Sequence, residues 1–372
     1  NLMSRRLPFM ERKSPLRGVL DLAVGAYPGF VFGARVGHQL PVFHFHEVTA
    51  AYLEPYLVYL VENGYRTVTS EAVARWAKEG VHPGDRSVAL CFDDAWASLW
   101  TVAAPLLKRH GLTAITFAIP GRTTEAQTCR PRLGEVDGEP PDFDRSETPF
   151  CTWVELQALQ AEGVVDIQSH TYAHARVFSA DYLEGFITPD YRPHVHAKPL
   201  AQAGRPPVFL EAGDLGAPLY PTRSRMSDVL RYDDPEARER ARAVVREAGG
   251  AAFFQQPDWE RRLRQAVGRG TGRSETEAER EAAILEDLVA AREVLNERLR
   301  TRSVKHLCFP WAVAGRVAEA CARRAGYETA WADRLGGRHT VREGDPPYRL
   351  MRLKHKFIFS LPGRGRRFWG GS

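Results

Sequence analysis

An acidic pair, Asp93-Asp94, closes the apolar run Leu90-Cys91-Phe92, and further along the chain Ser169-His170-Thr171-Tyr172-Ala173-His174 closes a second run of buried character. One carboxylate and two imidazoles make a three-ligand set for a divalent cation and leave a coordination position open for water. A ligand aspartate has its charge committed to the cation, so the neighbouring carboxylate is the one that can take that water's proton. Together the two segments read as one hydrolytic metal site. Each is weak alone, because two adjacent aspartates also make solvated turns and two histidines four apart occur by chance.

The elements that must position these groups alternate along the chain. Residues 40–46 have strand character, and 51–62 carry Leu53, Tyr56, Leu57, Leu60 and Val61 at helical spacing before a stop at Gly64. The pattern repeats with a helix over 70–79, a buried strand over 87–92, a helix over 98–110 stopped by Gly111 and a strand over 113–119. Thr152 and Glu155 form a capping box for a helix ending near Gly163, with a strand over 164–168 behind it. Ser274 and Glu277 predict a second capping box, opening a long helix with Leu285, Leu288, Val289, Leu295 and Leu299 on its apolar positions. A strand over 306–309, a helix over 316–325 and a strand over 329–332 follow. Such alternation argues for a parallel sheet covered by helices, either a barrel or an open doubly wound sheet. Asp93, His170 and Pro310 each fall at or just past the C-terminal end of a different strand, where barrel enzymes carry their chemistry, and this favours the barrel.

Between His174 and Ser274 the chain is rich in proline, glycine and arginine and has little periodicity before Pro235, so 176–273 reads as an insertion, a lid or a substrate-specificity segment. Within it Tyr220 beside Arg223 is a combination that could stack on a sugar ring and pair with an anion, whereas His194 and His196 read as ordinary loop histidines. Residues 1–39 are expected to form a leader packed on the barrel and 360–372 a basic tail. With 51 basic and 46 acidic side chains, the charge balance demands no nucleic acid, though it would suit an anionic sugar or a membrane surface. Five cysteines without close pairing suggest neither a disulfide framework nor a cysteine zinc site, and reduced thiols lead to the expectation of a cytoplasmic protein, associated at most with the membrane surface.

Phe92-Asp93-Asp94 followed by His170-Thr171-Tyr172-Ala173-His174 resembles the polysaccharide deacetylase family, also called the NodB homology domain or carbohydrate esterase family 4. The resemblance extends over about 41–179 and 274–359 and implies a deformed (β/α) barrel of the polysaccharide deacetylase type, with the long insertion as an addition. It implies that Asp94, His170 and His174 hold the metal and that Asp93 is the general base. The family's R-x-P-Y/W-G motif is represented by Leu307-Cys308-Phe309-Pro310-Trp311-Ala312, which keeps the Pro-Trp core and lacks the arginine. Trp311 would then supply a backbone N–H to the oxyanion and an indole wall to the acetyl group. Leu353-Lys354-His355 fits the family's L-x-H, and Phe45-His46-Glu47-Val48 resembles the first-strand Y-H-x-V of some members, so His355 and His46 compete as the general acid.

The implied activity is metal-dependent removal of an N-acetyl group from an amino sugar in a polysaccharide, glycolipid or glycan precursor, with an N-acetylated saccharide as the substrate partner. Zinc is the expected metal, and the donor set also suits iron, cobalt, nickel or manganese. The alternatives are hydrolysis of another amide bond on the same fold, or a non-catalytic sugar-binding partner in glycan assembly. A spare carboxylate beside a full ligand set argues against the second, since a binding module has no use for a base.

Overall fold

The computed structural model describes residues 19, 21–269, 271–334 and 336–368, so most of the leader's basic opening and the last four residues of the tail lie outside the described residues. The described chain divides into two compact units. One takes the chain up to Tyr172, Asp287–Ala314 and everything from Glu319 on, and the other takes Ala173–Glu286 with Gly315–Ala318.

The larger unit is built on parallel strands. These are β1 (Val42–Phe45), β2 (Arg66–Thr67), β3 (Ser87–Asp94), β4 (Ala114–Ala118), β5 (Val165–Ser169), β6 (His306–Cys308), β7 (Thr329–Trp331) and β8 (Leu353–Lys354). They are ordered β7-β6-β5-β4-β3-β1-β8, with β2 alongside β3. Every residue of β3 and of β4 is buried, as expected of parallel strands covered on both faces. The period of two then sorts each strand. Leu90 and Phe92 of β3, Phe43 and Phe45 of β1 and Ile167 of β5 pack with Leu53, Leu57 and Leu60 of helix α1 (Ala50–Glu62). Ala89 and Cys91 of β3, Phe117 of β4, Cys308 of β6 and Trp331 of β7 form a separate cluster on the other face.

The segment just before β8 brings the two edges of the sheet together. Leu350 exchanges backbone hydrogen bonds with β7, donating to the Ala330 carbonyl at 3.0 Å and accepting from the Ala332 N–H at 3.1 Å. Three residues later Leu353 and Lys354 pair with Phe43 and His44 of β1. One five-residue stretch therefore touches both ends of the strand order, which makes the curled parallel sheet a deformed (β/α) barrel.

The helices begin largely where capping residues place them. Helix α2 (Ser70–Glu79) is capped by Thr69, whose hydroxyl accepts from the Ala72 N–H. The Thr152–Glu155 box opens α4 (Trp153–Glu162) as the sequence predicts, after a short α3 (Ala104–Arg109). Two expectations need correction. The run over 98–110 is not one regular helix, because a π-helical turn, Leu99–Ala103, precedes α3. The second capping box lies two residues on from Ser274–Glu277. The Thr276 hydroxyl accepts from the Glu279 N–H at 3.2 Å and the Glu279 carboxylate accepts from the Thr276 N–H at 2.7 Å, so α5 runs Glu277–Arg298 while Ser274 pairs as a strand residue with Tyr232.

Phe30 and Val31 of the leader are fully buried in the same unit. The tail meets this stretch, with the Arg366 guanidinium donating to the carbonyls of Phe30 and Ala34 at 2.9 and 2.7 Å.

The second unit is made of short antiparallel ribbons and helices, including the start of α5. Arg176–Phe178 pairs with Thr222–Ser224, Gly185–Phe186 with Pro218–Leu219, Leu200–Gln202 with Val208–Phe209 and Tyr232–Asp233 with Arg273–Ser274. Helix Pro235–Glu247 buries Ala237, Ala241 and Val245 with Phe253 and Leu263. Arg225 makes a bidentate pair with Glu275 at 2.7 and 2.9 Å. Tyr220 is buried, edge-on to Phe178 and Tyr232, so the sugar-stacking role expected of it does not survive.

Candidate active site

Ala89, Cys91 and Asp93 project from one face of β3 by strand alternation, so Asp93 emerges on the side lined by Phe117 and away from the helices. It is a buried carboxylate, which must be charge-paired or protonated. Arg352, from the stretch that joins the sheet edges, pairs with it through both nitrogens of its fork, Nη1 to Oδ1 at 2.6 Å and Nη2 to Oδ2 at 2.9 Å. Burial pushes the Asp93 carboxyl up, and the Arg352 guanidinium outweighs it and holds the group below the usual carboxylate range. The Arg352 guanidinium also lies over the Phe117 ring, 5.6 Å from its centroid. The Leu350-Met351-Arg352 run resembles a closing strand of the family, and no spacing in the sequence marks Arg352 as the partner of Asp93. The pair joins residues 259 apart, and the arginine expected from the Pro-Trp segment is replaced there by Cys308.

Asp94 turns the other way. Its backbone is left-handed, with φ 69°, and its carboxylate accepts from the Trp96 indole N–H at 3.0 Å and lies 3.3 Å from His170 Nε2. His170 follows β5 directly, and its Nδ1 meets the Cys308 backbone carbonyl at 2.6 Å. A carbonyl can only accept, so Nδ1 carries the proton and Nε2 is the nitrogen that faces Asp94. An imidazole lone pair and a carboxylate oxygen at that distance repel unless a positive charge lies between them. Burial pushes His170 down, while Cys308 and the Asp94 carboxylate raise it well above its ordinary value, so a proton can supply that charge. A cation can supply it equally well, since two ligand atoms each about 2.0–2.1 Å from a tetrahedral ion sit about 3.3 Å apart. The backbone acceptor on Nδ1 is the outer-shell contact that fixes a ligand histidine's tautomer. The donor set at Asp94 and His170 thus fits a divalent ion.

His174, the third expected ligand, belongs to the smaller unit. There it is buried, with φ 49°, and its ring centroid lies 3.9 Å from that of His196. His196 is therefore not an ordinary loop histidine, contrary to expectation. It is buried in a short 3-10 turn, Val195–Ala197, against a histidine of the motif.

Of the two proposed acids, the structure brings only His46 to the carboxylates. Its Nε2 lies 3.8 Å from Asp93 Oδ2, and its side chain is half exposed. His355 stacks on Phe45 at 4.7 Å, meets the Tyr52 hydroxyl of α1, and contacts the His44 carbonyl through Nδ1 at 3.0 Å. Phe45 belongs to the cluster under α1, so His355 lies on the helix side of the sheet, opposite to Asp93. Burial there also keeps its imidazole below its ordinary value. The literal L-x-H match does not deliver a histidine to the site.

Trp311 follows β6 in a 3-10 turn, Pro310–Ala312, with φ 55° and ψ 15°, and Ala312 is also left-handed at φ 58°. Left-handed backbone at residues other than glycine closes β3 at Asp94 and Ala95 and follows β5 at Thr171 and β6 at Trp311. Such conformations are costly and persist where the surroundings enforce them. All three motif-bearing strands therefore end in enforced turns.

Residues 80–190, which carry both the aspartate pair and the histidine pair, match the sequence model of the family described as polysaccharide deacetylase. A relative, YxkH of Bacillus subtilis strain 168, named as a polysaccharide deacetylase, is 26% identical over 89 residues. That match spans 22% of this chain and 32% of the relative's length. The solved deacetylase domain of BpsB from Bordetella bronchiseptica superposes with a TM-score of 0.51 at 16% identity, covering 87% of this chain and 97% of that one, which is a likeness of fold. A de-N-acetylase from Aggregatibacter actinomycetemcomitans gives 0.47 at 15% identity, covering 83% and 97%. Over residues 80–190, which hold both motifs, the chain is thus similar to the polysaccharide deacetylase family, and its strands form a deformed barrel.

Proposed function

We propose that the chain is a metal-dependent hydrolase that removes N-acetyl groups from amino sugars of a glycan. The observation that carries this reading is a buried carboxylate, Asp93, kept ionised by a bidentate arginine next to a carboxylate–imidazole pair spaced for a shared cation. Asp94 and His170, with His174 four residues on, would hold the ion, and zinc is the first choice for one carboxylate and two imidazoles. When bound, the cation supplies Lewis acidity toward the acetamide carbonyl and the attacking water.

The chain's own groups do the rest. Asp93, ionised at neutral pH, takes the proton of the attacking water. Arg352 holds both carboxylate oxygens in one plane, and each oxygen keeps a lone pair for that transfer. His46, half exposed and 3.8 Å from Asp93, is placed to return a proton to the leaving amine. The Trp311 backbone N–H is the proposed donor to the oxyanion, in a turn whose left-handed geometry sets the direction of its amides.

The test is acetate release from a panel of N-acetylated saccharides by the purified chain, with and without chelator and with zinc added back. Release that is lost with chelator and restored by zinc supports the reading. A fully metal-loaded protein that frees no acetate from any of them rules it out.

A further inference from the structure

Strand β1 turns its phenylalanines to the helices and its histidine to the other side. Phe43 and Phe45 pack in the cluster under α1, while Val42 joins the opposite cluster with Cys91 and Phe117, so by the same period His44 projects with Val42. His46, just past the strand, shares that side, with its ring edge-on to His44 at 5.7 Å between centroids. The register sets His44 level with Cys91, two residues before Asp93. One ligand atom from each of His44, His46 and Asp93 therefore lies within 4.8 Å of the other two. This is a second set of two imidazoles and one carboxylate, and it uses neither Asp94 nor His170.

Spacing and competing charge decide how such a set takes a cation. His46 Nε2 lies 3.8 Å from Asp93 Oδ2, about half an ångström wider than two ligands of a tetrahedral zinc. The His46 side chain is half exposed, so it can swing that far. His44 is held more firmly, because its strand is paired on one side with β3 and on the other with β8. The Arg352 fork takes one lone pair of each Asp93 oxygen and leaves another for a metal, while its charge opposes a second cation on the same carboxylate. The set is thus weaker than the one at Asp94. Its imidazole nitrogens select zinc, copper or nickel over magnesium or calcium.

We propose that His44, His46 and Asp93 form a second, low-affinity site for a zinc-like cation, and that filling it switches the hydrolase off. Binding follows from this geometry alone, and the inhibition rests on the deacetylase reading. A cation held there takes the Nε2 lone pair of His46, so that nitrogen no longer carries a proton to the leaving amine, and it engages the Asp93 charge that would accept the water's proton. His44 belongs to this second set alone. Activity is then highest with one ion per chain and falls as excess metal fills the second set.

The experiment starts from the chain loaded with one equivalent of zinc and titrates in more, for the wild type, H44A and H44F. The readouts are uptake of the second equivalent by calorimetry, acetate release at each loading, and affinity for the first equivalent by competition with a chelator. The wild type should take the second zinc at least about tenfold more weakly than the first and lose about tenfold or more of its acetate release as that zinc binds. H44A should weaken the second equivalent about 10- to 100-fold, move half-inhibition to correspondingly higher zinc, and leave both the first equivalent and the release at one equivalent as in the wild type. H44F fills the same space with a ring that cannot ligate, and it carries the same reading if H44A fails to fold. Excess magnesium in place of the second zinc should leave acetate release unchanged.

A wild type that takes up no second zinc in excess overturns the proposal. So does a second equivalent that H44A and H44F leave unchanged, because it then lies elsewhere. Binding through His44 without loss of acetate release overturns the inhibition. A wild type that releases no acetate at any loading sinks the deacetylase reading and the inhibition with it, while calorimetry on the same three chains still decides the site.

Discussion

His170 and His306 belong to adjacent strands of one barrel, both almost fully buried, with Leu307 of one strand level with Ser169 of the other. His306 opens β6. Its Nδ1 contacts the Thr329 hydroxyl at 2.7 Å, its Nε2 contacts Glu71 at 3.3 Å, and its backbone N–H donates to Gln168 at 3.0 Å. Burial is the largest influence there and lowers its pKa, as for a neutral structural imidazole. His170 directly follows the neighbouring strand, with a backbone carbonyl on Nδ1, a carboxylate facing Nε2 and a left-handed residue, Thr171, immediately after it. Burial and hydrogen bonding are common to both and distinguish nothing. The difference lies in a fixed tautomer aimed at a second donor atom, beside backbone that the fold holds in a costly conformation.

That contrast can be broken first at Asp93. D93N should lower kcat by about a thousandfold, at the scale of a lost general base, and leave zinc affinity unchanged by calorimetry. Equal loss of zinc would mean that the two aspartates do not divide the labour. Next, H170A should weaken zinc binding by about 100-fold or more, whereas H306A should leave it unchanged, as competition with a chromophoric chelator would measure. The two acid candidates provide a smaller test. H46Q should reduce kcat about 10- to 100-fold, and H355Q should stay within about twofold because it faces the helix layer. A larger effect at His355 than at His46 would reverse the assignment.

The smallest effect concerns His306 and pH. A histidine whose folded pKa lies below its unfolded value of 6.5 binds fewer protons folded than unfolded in the window beneath that value. Its contribution to stability is present above pH 6.5 and is lost as pH falls through the window, by at most about 1.4 kcal/mol per pH unit. Denaturant melts of H306Q between pH 5 and 7 should therefore show a flatter slope than those of the wild type.

How legible the molecule was in its sequence depended on distance along the chain. The strand–helix alternation, the Thr152–Glu155 box and the placing of Asp93 and His170 at strand ends all rest on spacings of a few residues, and all were readable. The second box was displaced because Ser274 and Thr276 offer nearly the same local pattern, and the pairing of Ser274 with Tyr232 decided between them. His355 matched a motif letter by letter, yet letters carry no information about which face of a sheet a side chain leaves by. The pairing of Arg352 was illegible for the opposite reason, because its partner lies 259 residues away. The ribbons of the second unit went unread because strands of two or three residues are too short to show a period, and their partners, Arg225 with Glu275 among them, are again distant.

The arginine clamp also has a consequence for biogenesis. Both signature motifs leave the ribosome before the guanidinium that neutralises the buried acid, which is encoded 259 residues after that acid. A nascent chain that has passed both motifs would carry the whole recognisable signature and still hold its buried acid without a counter-charge, so translation must pass residue 352 before that acid can be paired.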